Sequence, residues 1–346
     1  MRETTYLDFA ATAPVLPEVR AAIDDALGRW ANPSSLHAAG RAAQAALEDA
    51  RGRVAAALGW DGTVLFTSGV TEALALAWHC SRGTRKFASA TEHPAMLRHA
   101  GDSLIPVDGN GLVDPGALPE ADLVAVMQVN NETGVIQPLA DIAEAVHARG
   151  GLLLADCAQA AGKLPLPSAD FCVIAGHKLG GPPGVGALLV RDLGTLAPMG
   201  GQERGYRPGT ENLPYIVGLA TALEVERGWV EGAAALRQWF EGEVRAIGGE
   251  VIAEGAPRVP TIGAYRLPGK LAQVVLIRAD SAGVAISAGS ACSSGSLKPS
   301  PVLMAMGMSE AQAREVFRVS IGRGTTRDHL AALLRVLAET IARRAA

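Results

Sequence analysis

Short apolar segments alternate with helical segments between residues 63 and 190, and this alternation is the strongest constraint on the fold. TVLFTSG (63–69) is predicted to be a buried strand that breaks at Ser-Gly, and VTEALALAWHC (70–80) then takes up helical periodicity. Further strands are predicted at KFASA (86–90), LVAVMQV (123–129), GLLLADC (151–157), DFCVIAG (170–176) and VGALLV (185–190). Apolar strands separated by helices predict an α/β fold, with a mostly parallel sheet covered by helices on both faces. Ligands are then expected at the carboxyl ends of the strands.

Two longer helices and a second, smaller unit complete the prediction. Helices are predicted over 34–59 and 139–150, each closed by a glycine. After about residue 235 the pattern changes, and TIGAYRL (261–267), AQVVLI (272–277) and VFRVSI (316–321) each resemble strands. We therefore expect a smaller α+β domain in the C-terminal part of the chain.

The composition excludes several classes of function. The chain has 346 residues and a formal net charge of −4, so it lacks the basic surplus that nucleic acids or anionic membranes attract. No apolar run approaches the roughly 20 residues that a membrane-spanning helix needs. The N-terminal sequence lacks the continuous apolar core of a secretory signal. We expect no nucleic-acid or membrane partner, and a cytoplasmic location.

One of the four cysteines stands apart. The spacing of the four contains no CxxC pair, so a disulfide framework or structural zinc site is not expected. Cys80, Cys157 and Cys172 lie in helical or strand-like apolar segments and are interpreted as small buried hydrophobes. Cys292 lies in AGSACSSGS (288–296), a run without apolar bulk. This context indicates a chemical rather than a packing role.

A lysine and an aspartate follow two of the predicted strands. Lys178 in AGHKLGG is either a solvated loop lysine or a Schiff-base lysine, with room for a flat cofactor beside its small neighbours. Asp156 ends the apolar segment LLLAD and is either a helix N-cap or the partner of a protonated pyridine nitrogen, as pyridoxal phosphate requires. In the second case Gln159 is placed to donate to the hydroxyl of the ring.

Other polar residues occupy similar positions. SGVTEALALA (68–77) combines a strand end, a glycine turn and a helix start, so its backbone N–H groups and the Thr71 hydroxyl could bind an anion. His93 follows a strand and is either structural or stacked on a planar ring. Asn131 ends another strand, where its side chain can face a ligand. Arg323 lies between two glycines, a position suited to a guanidinium that holds a carboxylate.

A series of motifs spans nearly the whole chain: YLDFAATAP, NPSSLHAAG, FTSGVTEA, TEHPA, VNNETGV, DCAQAAGKLP, GHKLGGPPGVGAL, GGQERGYRPGT, SAGSACSSG and GRGTT. In this order they resemble the motifs of cysteine desulfurases, which belong to the class V aminotransferase group of fold type I pyridoxal-phosphate enzymes. The resemblance implies a large cofactor-binding domain over residues 15–235. It also implies a small domain, formed by residues 1–14 and 236–346, that carries the catalytic cysteine loop.

The resemblance also implies a role for each matching residue. Lys178 would bind the cofactor covalently and act in catalysis with Cys292, the sulfur acceptor, and His93, which would stack on the ring. Asp156 would contact the pyridine nitrogen, and Gln159 and Asn131 would contact the ring oxygen and the substrate. Val70, Thr71 and His177 would bind the phosphate, and Thr210 would bind the phosphate of a neighbouring subunit. Arg323 would hold the substrate carboxylate. The expected reaction converts L-cysteine to L-alanine and a persulfide on Cys292.

The expected assembly is a homodimer with shared active sites that passes sulfur to an acceptor protein. Iron–sulfur cluster biogenesis and tRNA thiolation are both open as destinations. One position departs from the family's pattern, because Ala175 stands where a serine commonly donates to the phosphate. Selenocysteine lyase and other class V activities, such as an aminotransferase, are open alternatives. A non-catalytic pyridoxal-phosphate protein that relays sulfur is a further alternative.

Overall fold

The computed structural model describes residues 4–29, 31–288 and 299–342. Within these ranges the helices are α1 (Pro17–Gly28), α2 (Ala38–Leu58), α3 (Val70–Cys80), α4 (Pro94–Ala100), α5 (Leu139–His147), α6 (Leu213–Glu224), α7 (Trp229–Ala246), α8 (Ala272–Ser281), α9 (Pro301–Ala305), α10 (Glu310–Ala313) and α11 (Arg327–Ala342). The strands are β1 (Thr5–Tyr6), β2 (Thr63–Thr67), β3 (Lys86–Ser89), β4 (Leu104–Ile105), β5 (Leu123–Met127), β6 (Leu152–Asp156), β7 (Phe171–Ala175), β8 (Gly186–Val190), β9 (Glu250–Val251), β10 (Ile262–Arg266), β11 (Val284–Ala285), β12 (Ser287–Ala288) and β13 (Val316–Ser320).

A seven-stranded sheet in the order β2-β8-β7-β6-β5-β3-β4 forms the larger part of the molecule. Strands β7, β6, β5, β3 and β4 are mutually parallel, whereas β8 is antiparallel to both of its neighbours. The mostly parallel sheet that the sequence predicts is therefore confirmed. Its parallel strands bring their carboxyl ends to a single edge, where the connecting loops can form a site.

Helices cover both faces of this sheet. Successive side chains along each strand point to opposite faces, so each strand contributes to a core on both sides. Along β5, Val124 and Val126 face a core that also holds residues of α1, α2, α5 and α6. Leu123 and Ala125 face a second core, which contains residues of α3 and α4. Burial on both sides explains why the central strands β5, β7 and β8 are apolar throughout, and it confirms the predicted layering.

The second helix begins later than predicted. Helix α2 starts at Ala38, and the Nδ1 atom of His37 caps it by accepting a hydrogen bond of 3.1 Å from the Gly40 amide. The preceding residues form a turn in which the Asn32 side chain accepts from the Ser34 amide at 2.9 Å. This local side-chain bond competes with helical hydrogen bonding and delays the start of the helix.

The prediction of a strand at AQVVLI (272–277) is wrong, since these residues begin helix α8. Ala272, Val275 and Ala279 are buried, at the spacing of three and four residues that marks one helical face. Val274 and Ile277 are exposed large apolar side chains on the opposite side. Because apolar residues occupy both faces, the helical period is hidden in the sequence.

A smaller antiparallel sheet in the order β12-β13-β10-β9 lies beside the large one. Its core combines aliphatic side chains with aromatic rings, and the rings of Phe240 on α7 and Tyr265 on β10 lie edge to face with their centroids 5.1 Å apart. The N-terminal segment joins this part of the chain, because β1 pairs with β11 and Asp8 forms a bridge with Ser320. In the ranges described, no helix has the length and apolar character that crossing a membrane requires.

Candidate active site

Four loops meet at the carboxyl edge of the large sheet. Asp156 is the last residue of β6, where it lies opposite Met127 of β5 and Val173 of β7. The chain continues from β7 to Lys178, from β5 to Asn131 and from β3 to His93. The structure therefore brings these four predicted residues to one edge of the sheet, although they are far apart in sequence.

Lys178 ends a short 3₁₀ turn, and its amine faces the N-terminal segment. The Nζ atom donates hydrogen bonds to the main-chain oxygens of Ala10 at 2.6 Å and Ala11 at 2.7 Å. Burial, together with the charge of Arg318, lowers the pKa of Lys178 to about 8, against the opposing effect of Asp156 and Asp8. A lysine with this pKa has a much larger neutral fraction near pH 7 than an ordinary lysine, which favours a nucleophilic or basic role.

Asp156 is buried at the centre of the same edge. Its Oδ1 atom accepts a hydrogen bond of 2.9 Å from the Ala158 amide. Burial raises the pKa of Asp156 to about 6, although the Ala158 hydrogen bond and the Lys178 charge favour the ionised form. A buried carboxylate is costly to keep ionised, and a cationic group brought against it would relieve that cost.

Three buried polar atoms near these residues lack a hydrogen-bond partner in the structure. They are Oε1 of Gln159, Oδ1 of Asn131 and Nε of Arg318. The Gln159 side chain is held in place through its other end, where Nε2 donates to the Ala10 oxygen at 2.9 Å. Since buried polar groups are nearly always paired in folded proteins, these atoms indicate a site for a polar ligand.

A second set of predicted residues lies at the start of α3. Gly186 of β8 pairs with Thr67, the last residue of β2, and with Ala175, the last residue of β7. Since α3 follows β2 in the chain, α3 begins close to the end of β7. Gly69 precedes α3 without a side-chain cap, and open space surrounds the position where its Cβ would lie. The amides of the first turn, at Val70 and Thr71, are therefore available to an anion.

His177 lies next to Lys178 and contacts the N-terminal segment. Its Nδ1 atom lies 3.3 Å from the Thr12 hydroxyl. Burial, with a contribution from the Lys178 charge, lowers the pKa of His177 to about 4. The ring is thus neutral at pH 7 and can offer a hydrogen bond, but not a charge, to a phosphate.

His93 is the N-cap residue of α4 and has a fixed tautomer. Its Nδ1 atom accepts a hydrogen bond of 3.1 Å from the Ala95 amide, which leaves the proton on Nε2. His93 is exposed, but desolvation by the surrounding protein, with the charges of Lys178 and Arg98, still lowers its pKa. The structural role is present, as a helix cap, and the neutral ring is compatible with stacking on a planar cofactor.

Thr210 is exposed in the loop between β8 and α6. The loop is tied to α3, because Nε of Arg207 donates to Glu72 at 3.1 Å and Nη1 donates to the Gly209 oxygen at 3.0 Å. The first of these bonds fixes the loop against the helix that begins at the anion end of the site, and Thr210 is exposed three residues after Arg207. A contact to the phosphate of another subunit stays a prediction.

Two arginines near the site differ in their surroundings. Arg323, predicted to bind a carboxylate, is half-exposed and forms a 3.0 Å ion pair with Glu18. Arg318 on β13 is buried, and it donates to Asp8 Oδ1 at 2.7 Å and to the Asn131 oxygen at 2.9 Å. Sequence reasoning missed Arg318, although a charge in the middle of the apolar segment VFRVSI is a signal, because such a charge must be paired.

Cys292 falls outside the residues that the structure describes. The three cysteines expected to be structural lie within them, with Cys157 and Cys172 fully buried and Cys80 partly buried. Burial raises the pKa of the Cys157 thiol and of the Cys80 thiol. These thiols are protonated at neutral pH and serve as small apolar groups.

Comparison with known proteins gives the class of the chain first. The model of the class V aminotransferase family matches residues 5–333, and the chain belongs to this family. A cysteine desulfurase of Cereibacter sphaeroides is 37% identical over 97% of this chain and 95% of its own length.

Solved structures agree with this assignment. A NifS-like protein from Rickettsia africae superimposes with a TM-score of 0.88 at 28% identity, over 98% of this chain and 99% of its own. A protein named SspA, solved in complex with cysteine, gives a TM-score of 0.78 at 29% identity, over 91% of this chain and 98% of its own.

The residues at the sheet edge fit pyridoxal phosphate, the cofactor of this family. Asp156 offers a carboxylate for a protonated ring nitrogen. Gln159 offers its unpartnered Oε1 as an acceptor, and not the donor that the sequence predicts, because its Nε2 already donates to Ala10. Lys178 offers an amine of lowered pKa, and the uncapped first turn of α3 offers amides to a phosphate. Ala175 contributes no hydroxyl to that end, which is the departure noted in the sequence.

Proposed function

We propose that this chain is a pyridoxal-phosphate-dependent cysteine desulfurase. The single observation that carries the proposal is the placement of Asp156 and Lys178 on the same sheet edge, each with a strongly altered pKa. The similarity to named cysteine desulfurases over nearly the whole chain supports the substrate. The reaction removes sulfur from L-cysteine and leaves L-alanine.

The cofactor, when bound, supplies an aldehyde that captures the amino group and a ring that withdraws electrons from the substrate Cα. Asp156 holds a proton on the ring nitrogen, since its buried carboxylate is stabilised by that positive charge. Lys178 takes the Cα proton at Nζ, because its pKa of about 8 leaves a sizeable fraction of neutral amine at physiological pH. His93 contributes a flat neutral surface against the ring.

We propose that Arg318 orients the substrate carboxylate and that Asn131 contacts another part of the substrate. The Arg318 guanidinium has a buried Nε without a partner that can donate to a carboxylate, whereas the unpaired Oδ1 of Asn131 is an acceptor and suits a donor on the ligand. Arg318 is also the charge with the largest effect on Lys178, which indicates that the two groups are close. Arg323, on the rim and paired with Glu18, stays an alternative carboxylate ligand.

Cys292 receives the sulfur in this proposal. Its Sγ attacks the sulfur of cysteine, so that an S–S bond forms and the substrate C–S bond breaks. The carbon that loses sulfur gains a proton, and the products are L-alanine and the Cys292 persulfide. Atoms balance without an added oxidant, since one thiol and one cysteine give one persulfide and one alanine.

The proposal extends to the assembly. The exposed Thr210 loop, tied to α3 by Arg207, is a suitable element for reaching a second subunit in a homodimer. Transfer of sulfur from Cys292 to an acceptor protein in the cytoplasm completes the proposed role. The proposal leaves iron–sulfur assembly and tRNA thiolation both open as the destination.

The test is to incubate the cofactor-loaded protein with L-cysteine, without added thiol, and to measure alanine and the mass of each cysteine-containing peptide. We expect one alanine for each sulfur atom gained on the Cys292 peptide. Cys292→Ser should abolish both signals, whereas Cys80→Ser, the matched control, should retain them because the Cys80 thiol is partly buried and protonated. Alanine formation that is unchanged in Cys292→Ser would reject the acceptor role.

The same assay separates the alternatives. An aminotransferase would convert cysteine to 3-mercaptopyruvate, with the C–S bond intact, rather than to alanine. A selenocysteine lyase would turn over selenocysteine but not cysteine. A non-catalytic protein would form neither product.

A further inference from the structure

Glu92 lies one residue before His93 and is buried, with 1% of its surface exposed. The register of β3 with β5 ends upstream of it, at the partners Ala88 and Ala125. Beyond that pair, Oε1 of Glu92 takes the place of a strand carbonyl and accepts a hydrogen bond of 2.6 Å from the Met127 amide. The Glu92 side chain thus extends the pairing of the loop after β3 with β5.

The strand end that Glu92 binds also borders Asp156. Met127 lies opposite Asp156 in the pairing of β5 with β6, and the next amide, that of Gln128, donates to the Asp156 main-chain oxygen at 2.8 Å. Successive amides at the end of β5 therefore point first to Glu92 and then to Asp156. The end of β5 is held from both sides, by a side chain on one side and by a strand on the other.

A second bond joins the same two loops in the opposite direction. Nδ2 of Asn130 donates to the Thr91 main-chain oxygen at 3.0 Å, and both residues are buried. Oδ1 of Asn130 accepts from the amides of Glu132 and Thr133, each at 2.9 Å, so that it also shapes the turn that contains Asn131. Two side-chain bonds therefore clamp the loop after β3 to the loop after β5.

Glu92 adds little negative charge to this edge of the sheet. Burial, with the charge of Asp156, raises the pKa of Glu92 well above its usual range, against the opposing effect of the Met127 hydrogen bond. The side chain is favoured as a neutral carboxylic acid whose carbonyl oxygen accepts the amide proton. A neutral Glu92 leaves Asp156 as the carboxylate that faces the ring nitrogen.

We propose that Glu92 is a positioning residue of the cofactor site, which sets the place of the His93 ring relative to Asp156 through its hydrogen bond to Met127. The inference rests on the proposed cofactor contacts of His93 and Asp156, and Glu92 acts through them. Because His93 follows Glu92 directly, the bond to Met127 fixes where the loop after β3 leaves the sheet. A loop that is fixed in advance need not be ordered when the cofactor binds, and this favours tighter binding.

The test compares Glu92→Gln with Glu92→Ala. The measurements are the binding of pyridoxal phosphate and the visible circular dichroism of the loaded protein, which reports how the protein holds the ring. Glu92→Gln keeps a neutral oxygen acceptor of the same size, so it should bind the cofactor within about threefold of the wild type and retain the dichroism band. Glu92→Ala leaves the buried Met127 amide without this acceptor, so it should bind the cofactor about tenfold or more weakly and show an altered band.

Asp170→Ala is the matched control, because it removes the same kind of bond near the other end of β6. Oδ2 of Asp170 accepts a hydrogen bond of 2.8 Å from the Leu153 amide. The melting temperature should fall in this variant as in Glu92→Ala. Its cofactor binding and its dichroism should stay at wild-type values, since the bond lies away from the edge that holds the cofactor.

Two results would overturn the inference. Unchanged cofactor binding and dichroism in Glu92→Ala would leave Glu92 with a role in stability only. A Glu92→Gln variant that loses the band would also reject the inference, because its amide oxygen still offers the hydrogen bond. If the alanine variant does not fold, Glu92→Leu, which fills the space without an acceptor, replaces it, and the glutamine result still decides by itself.

None of these measurements uses turnover. Wild-type protein that binds the cofactor and responds to the Glu92 substitutions as expected, but forms no alanine, rejects only the desulfurase function. Protein that forms alanine and whose cofactor is insensitive to Glu92→Ala rejects only the positioning role.

Discussion

Arg318 donates a hydrogen bond from Nη1 to the main-chain oxygen of Asn131, at 2.9 Å. One residue belongs to β13 of the small sheet, and the other follows β5 of the large sheet. A second bond, from Arg318 Nη2 to Asp8 Oδ1 at 2.7 Å, adds the N-terminal segment to the same contact. A single guanidinium thereby joins three parts of the chain at the edge where Lys178 and Asp156 lie. The site is complete only when the two sheets are in contact.

Substitution of the two arginines should separate their roles. Arg318→Lys keeps a charge but loses the planar fork, so the KM for cysteine should rise about tenfold or more. Arg323→Lys should have a much smaller effect, because Arg323 is half-exposed and paired with Glu18. The comparison is made by steady-state kinetics, with thermal melting as a check on folding. A larger KM effect in Arg323→Lys would instead assign the carboxylate to that residue.

Lys178→Ala should remove the visible absorbance band of the lysine-bound cofactor and lower the rate of alanine formation by about 10²- to 10⁴-fold or more. The reason is the loss of the amine that both attaches the cofactor and moves the Cα proton. Lys163→Ala is the control, since Lys163 also has a lowered pKa but its Nζ donates to the main-chain oxygen of Gln159. It should retain the band. Survival of the band in Lys178→Ala would refute the lysine assignment.

Asp156→Asn should stabilise the cofactor-free protein at high pH. Burial raises the pKa of Asp156 from 3.8 to about 6, so the folded chain binds this proton more tightly than the unfolded chain. That stabilisation is complete below about pH 4 and is lost as the pH rises through about 6. At pH 8 the ionised wild-type carboxylate therefore costs up to about 3 kcal/mol, which the amide avoids.

Melting curves at pH 5 and pH 8, with and without pyridoxal phosphate, make this measurement. The variant should melt at a higher temperature than the wild type at pH 8, and the difference should shrink at pH 5. With cofactor the order should reverse, because only the carboxylate stabilises a protonated ring nitrogen. A variant that gains as much from the cofactor as the wild type would contradict the pairing of Asp156 with the ring.

Ala175→Ser should tighten the binding of pyridoxal phosphate about threefold to tenfold, the range expected for one added hydrogen bond. Ala175 is buried at the end of β7 and lies opposite Gly186, next to the start of α3. Pyridoxal, which lacks the phosphate, is the matched control ligand and should bind both proteins equally. An equal gain for the two ligands, or no gain, would show that the serine hydroxyl does not reach the phosphate.

Six of the seven strands of the large sheet were predictable, because most of them are short apolar runs that are buried on both faces and end at a polar residue or a glycine. Strand β4 (Leu104–Ile105) was missed, since it has only two residues and Leu104 is exposed. The ends of α3 were also predictable, since the predicted residues 70–80 agree with the observed helix Val70–Cys80. AQVVLI was misread because the burial of Ala272, Val275 and Ala279 depends on what packs against α8, which local pattern does not contain.

The candidate site was likewise predictable only in part. Local sequence determined that Lys178 and Asp156 follow strands, because a charged residue after an apolar run is visible in the run itself. Their proximity came from the pairing of β6 with β7 in the large sheet. The lowered pKa of Lys178 and the position of Arg318 near it came from burial and from the contact of the small sheet with that edge. Distances between residues 310 positions apart, as for Asp8 and Arg318, depend on how separate cores pack together. Burial and electric field at a site are properties of that packing, so they emerge only in the folded chain.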